Sequence, residues 1–177
     1  MLFWHLGGTT ALIRYAFRDE RMDLRFLMLG AVLADLVDTP IGLVFWESFR
    51  NVRLLGHSLL FAAVAMVIVL LSTRRGRPRK RWMPLAVGVL VHLVLDAMWR
   101  QPETLWWPFL GWEFTERAYA SAGEYVLAIL RDWRTWAFEA AGLAYLAYLF
   151  GRARRADPDA RTEFIETGRV NVPIDRR

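Results

Sequence analysis

The chain has 177 residues, 55% of them hydrophobic, and a formal net charge of +5. It has no cysteine, which excludes disulfides, thiolate metal sites and cysteine nucleophiles. Its basic residues sit in short runs between long apolar stretches, a pattern of membrane orientation rather than of nucleic-acid binding.

Residues 2–17 have no basic segment ahead of their apolar part, so they read as a short or tilted helix and not as a cleaved signal. Gly7 and Gly8 are expected to break that helix in part. Residues 18–25 are a charged connector. Phe26 to Trp46 is apolar except for Asp35 and Asp38, which at i and i+3 share one helical face. Pro40 is expected to kink or interrupt this helix. After a polar turn from Glu47 to Arg53, Leu54 to Ser72 forms the cleanest apolar run, with His57 near its start. Residues 74–81 are a dense basic loop. Met83 to Trp99 is almost wholly apolar, yet His92 and Asp96 interrupt it at i and i+4, about 40° apart on one helix face. Residues 100–135 are rich in tryptophan and proline, which suits a headgroup interface. A last apolar run, Trp136 to Phe150, ends in Arg152, Arg154 and Arg155.

Several of these runs approach the ~20 apolar residues that cross a bilayer. The expected fold is all-α: a multi-pass transmembrane bundle of four to five membrane helices, with a short N-terminal helix. Residues 1–155 would be membrane-embedded, and 156–177 a polar, flexible tail. The partner is then the lipid bilayer of the cell membrane. Alternate crossings put the three basic segments in the cytoplasm and the Trp-rich loop outside. The sequence gives no oligomeric state.

On that topology the three histidines, His5, His57 and His92, fall in one outer layer with Asp35, Asp38 and Asp96. A carboxylate buried in a membrane helix costs about 2.5–3.5 kcal/mol, and a divalent cation would offset three of them. The six side chains are therefore the candidate metal ligands. Nitrogen and oxygen donors without thiolate favour zinc, with manganese or iron compatible. Their number suits two ions bridged by a carboxylate, or one ion with aspartates orienting the histidines. An aspartate outside the ligand set would serve as general base, with Asp38 the candidate. Ser58 reads either as a donor behind the ligands or as a helix N-terminal residue. The plainer readings are hydrogen bonding between helices for His92 and Asp96, and ion pairing with Arg50 or Arg53 for Asp35 and Asp38. The Trp106-Trp107-Pro108-Phe109 cluster reads as an interfacial anchor, and Glu103, Glu113 and Glu116 as a solvated loop.

At these residues the chain resembles the YdjM-like family of membrane-bound, metal-dependent hydrolases. The resemblance lies in His5-Leu-Gly-Gly, Leu33-Ala-Asp-Leu-Val-Asp38, Gly56-His57-Ser58-Leu59, His92-Leu-Val-Leu-Asp96 and Trp107-Pro108-Phe109, in that order, over about residues 1–115. Ala34 stands where the family pattern has proline, and Thr39 where it has histidine. The resemblance implies hydrolysis by metal-activated water of a small-molecule or lipid substrate, a phosphoester foremost. From the residues alone, an ion path in a small transporter or channel subunit and a structural membrane protein stay open.

Overall fold

Nine α-helices follow one another in the described residues, with no strand among them. The computed structural model describes residues 1–18 and 22–172. Asp19, Glu20 and Arg21 of the charged connector and residues 173–177 of the tail lie outside the described residues.

The expected break at Gly7 and Gly8 does not occur, and α1 runs unbroken over Leu2–Phe17. Gly7 serves packing instead. A Cβ there would collide with the backbone of Gly142, and one on Gly142 would meet the Phe3 carbonyl. The facing helix, α8 (Trp133–Ala156), therefore approaches α1 backbone to backbone. Helix α2 (Leu24–Val44) starts at Asp23, whose carboxylate accepts from the Arg25 amide, and continues through Pro40 without interruption. A one-turn α3 (Trp46–Phe49) follows it.

Helix α4 (Leu59–Ser72) is preceded by a 3-10 turn at Leu55–His57. Ser58 caps α4: its hydroxyl accepts from the Phe61 amide and donates to the Leu55 carbonyl. Helix α5 (Arg77–Leu95) absorbs residues 77–81 of the expected basic loop. It packs on α2 through a reciprocal pair of glycines, Gly30 against the Leu85 carbonyl and Gly88 against that of Leu27. Short α6 (Pro102–Leu105) and α7 (Ala122–Arg131) lie in the Trp-rich segment, and Asp132 ends α7 while capping α8.

Part of the segment expected as a polar tail is helical and packed. Helix α9 spans Ala160–Thr167, and Val170 and Val172 are buried with Ile13, Leu24, Leu27 and Leu149. Buried Arg14 donates to the carbonyls of Val170 and Val172 at 3.1 and 2.7 Å, which fixes that strip of chain.

Chain reversals collect the polar side chains at opposite ends. His5, Asp35, His57 and Asp96 meet at one end, while Asp23 and Arg81 meet at the other. The outward surface between is apolar: Leu36 and Val44 of α2 and Val67, Ile68 and Leu71 of α4 are exposed. By length and composition together, α2 alone among the described helices is long and apolar enough to cross a membrane. Helix α4 is apolar but shorter.

Candidate metal centre

Asp35 projects from the middle of α2, and His92 and Asp96 from the last turn and end of α5. His57 enters from the 3-10 turn, where the chain between α3 and α4 folds back over α2. These four residues bring one ligand atom each within 4.8 Å of one another and could hold a metal ion.

Second partners fix the orientation of both imidazoles. His92 Nδ1 lies 2.6 Å from the Ala31 carbonyl, which can only accept, so Nδ1 carries the proton. His57 Nδ1 likewise donates to Asp38 Oδ2 at 2.7 Å. A neutral imidazole then has a bare Nε2. The two bare Nε2 atoms face each other at 3.2 Å. His57 Nε2 is 3.3 Å from Asp35 Oδ1 and 3.5 Å from Asp96 Oδ2, and His92 Nε2 is 3.8 and 3.9 Å from the same two oxygens. A tetrahedral ion with arms of about 2.0–2.1 Å would have ligand-to-ligand edges of about 3.3–3.4 Å. Five of the six edges here fall between 3.2 and 3.9 Å. With both rings neutral, four lone-pair donors converge, and a cation would relieve that repulsion.

Asp38 is not among the four. It is 1% exposed, and its oxygens accept from the amides of Leu54, Gly56 and His57 as well as from the His57 ring. The expected roles of Asp38 as metal ligand and general base do not suit those surroundings, because its donors come from the turn it organises. Asp38 aims His57, as a carboxylate behind a metal-binding histidine does.

His5 also stands beside the four. Its Nδ1 meets the Met1 carbonyl at 2.5 Å and its Nε2 meets Asp96 Oδ1 at 3.0 Å, while its ring stacks on that of His92 at 4.1 Å. Ser58 faces no member of the group; its hydroxyl is consumed by the α4 cap. Among the four, His57 and His92 are fully buried, whereas the Asp35 side chain is 31% exposed. The group therefore opens to solvent on the Asp35 side, unlike a closed structural site.

Three residues outside the expected ligand set adjoin the site, and one of them, Arg53, pairs with Asp96 rather than with Asp35 or Asp38 as expected. Arg53 Nε pairs with Asp96 Oδ2 at 2.8 Å. With the Gln101 amide oxygen turned toward them, Arg53 Nη1 and Arg117 Nη2 both donate to it at 2.8 Å. Burial lowers the Arg117 guanidinium from its ordinary pKa, and the charge of Arg53 lowers it further. Arg53 immediately precedes the His57 turn, a weak signal; Arg117 lies in an irregular loop and gave none. Glu139 of α8 accepts from the Phe3 amide at 2.7 Å at the start of α1.

An all-helical chain with an apolar outer surface and a one-ended Asp/His group defines a membrane-type protein with a possible metal site. The family model for YdjM inner membrane protein matches residues 3–157, and the chain belongs to that family. The match extends the motif resemblance through α8 and places the chain among inner membrane proteins. Neither the curated proteins nor the solved structures compared with it give a match.

Proposed function

We propose that the chain is a multi-pass membrane hydrolase whose reaction depends on one divalent metal, held by Asp35, His57, His92 and Asp96. The observation that carries this reading is the pair of Nε2 atoms 3.2 Å apart, flanked by two carboxylates. Zinc suits an all-N/O, four-donor set first, with manganese or iron next. When bound, such an ion supplies Lewis acidity toward water and an ester oxygen.

The protein's own side chains do the rest. Asp38 and the Ala31 carbonyl keep both imidazoles in the ligating tautomer. His5 holds Asp96 by its second oxygen. Asp35 borders the open side, where water and ester would enter.

The bundle we assign to the membrane is α1, α2, α4, α5 and α8. Exposed apolar side chains on these helices and basic residues at the end away from the metal group support it. Helix α4, at 14 residues, is about 21 Å long, short of the ~30 Å hydrocarbon core; its lead-in turn and local thinning make up the difference. With the basic ends cytoplasmic, the metal group lies near the outer face.

Elemental analysis of the detergent-purified full chain tests the centre, followed by a phosphoester panel with and without chelator. Stoichiometric metal and chelator-sensitive hydrolysis are expected. A chain that takes up no added zinc, manganese or iron overturns the proposal.

A further inference from the structure

We propose that Arg53, Arg117 and Gln101 form a binding site for the phosphate group of an ester, placed to hold that group against the metal centre. The inference rests on the hydrolase reading for its catalytic meaning, but the site can be tested without it.

The two guanidinium groups are held together against their mutual repulsion. Both donate to one neutral oxygen, that of Gln101, which is 7% exposed. Asp96 is the carboxylate within ion-pair distance of Arg53, and among the described residues Arg117 has none. Asp96 is itself shared with His5 and His57.

The loop carrying Arg117 is fixed rather than free. Its amide donates to the Arg50 carbonyl at 2.9 Å, and Asn51 Nδ2 donates to the Thr115 carbonyl at 2.6 Å. The fold thus holds the arginine pair in place before any ligand arrives, which lowers the cost of binding.

A donor there awaits an acceptor. Arg117 Nε is buried and has no hydrogen-bond partner. Buried polar hydrogens are rarely left unpaired.

Charge points the same way. A divalent ion, Arg53 and Arg117 would bring four positive charges against the three of Asp35, Asp38 and Asp96. A planar arginine fork suits a tetrahedral oxyanion, which accepts two parallel N–H bonds. A neutral carboxylic ester would leave Arg117 unanswered.

The test is binding, read by calorimetry on the full chain in detergent, with and without chelator. The probes are inorganic phosphate, sn-glycerol 3-phosphate, and phosphatidate dispersed in the same detergent. Wild type is expected to bind phosphate, and Arg117→Gln to weaken binding about tenfold or more. Metal content should not change, because Arg117 touches no member of the metal group. Arg117→Lys, which keeps the charge but loses the fork, is expected to fall between the two. If Arg117→Gln loses its helical circular dichroism, Arg117→Lys decides alone.

Tighter binding of phosphatidate assigns the phosphate to a lipid headgroup; tighter binding of glycerol phosphate assigns it to a soluble ester. Undiminished binding in the folded variants, or no binding of any probe by wild type, overturns the site. Arginine-dependent phosphate binding by a chain that takes up no metal supports the site while overturning the hydrolase reading.

Discussion

His57 and His92 aim their Nε2 atoms at each other across 3.2 Å, and each ring has already committed its proton to an acceptor behind it. No hydrogen bond can close that gap while both rings are neutral. An ion between them would, and removing either ring should remove it. His92→Ala is expected to cut bound metal at least tenfold while the protein still inserts into membranes. Elemental analysis of the variant beside wild type reads this, and equal metal content would rule out the centre.

Asp38 should matter through His57 rather than by direct contact. Asp38→Asn keeps the shape but offers the ring and three amides a poorer acceptor. Metal affinity should fall about 10- to 100-fold, the usual range for a group behind a ligand, and Tm should drop as the 55–57 turn loosens. Competition titration against a chromophoric chelator measures the first, and a melt in detergent the second. A complete loss of metal equal to that of His92→Ala would make Asp38 a ligand after all.

Acid should empty the site. Metal competes with protons for imidazole and carboxylate, so affinity falls as pH drops. Free imidazole takes up its proton near pH 6.5, and the steep loss of zinc is expected below about that value. Equilibrium dialysis from pH 8 to pH 5 would follow it. A flat profile would argue for a site without histidine.

Glycine contacts set the helix spacing. Gly30→Ala would push a methyl group into the Leu85 carbonyl, where backbone cannot yield. Overpacking of this kind costs about 1–3 kcal/mol. Gly151→Ala is the control. It lies inside α8 with nothing within 4 Å of its Cβ position, so helix propensity alone should make it neutral or stabilising by up to about 1 kcal/mol. Comparative melts in one detergent give the sign of each.

Topology can be read with single cysteines, because the chain has none of its own. Arg75 lies in the basic connector and Trp112 in the Trp-rich segment, and both are exposed. In intact cells a membrane-impermeant maleimide should label Trp112→Cys and spare Arg75→Cys until the membrane is opened. The reverse pattern would turn the metal group toward the cytoplasm.

Residue spacing alone specified the long apolar helices, the order of the polar interruptions and the shared face of His92 and Asp96, since these depend on one or two turns. It also placed the three histidines in one layer, because alternate reversals of apolar helices leave few other arrangements. Local spacing could not decide what faces what across the bundle. Asp35 and Asp38 share a face of α2 by periodicity, yet the His57 ring meets Asp35 through Nε2 and Asp38 through Nδ1, so one joins the four-residue group and the other holds the His57 turn. Gly7 is a weak helix former by propensity, yet it lies in an unbroken helix where the backbone of α8 packs against it. Arg53, Gln101 and Arg117 come from segments distant in sequence, two of them joined by the bond from the Arg117 amide to the Arg50 carbonyl. Such meetings depend on long-range packing, which no helical period encodes.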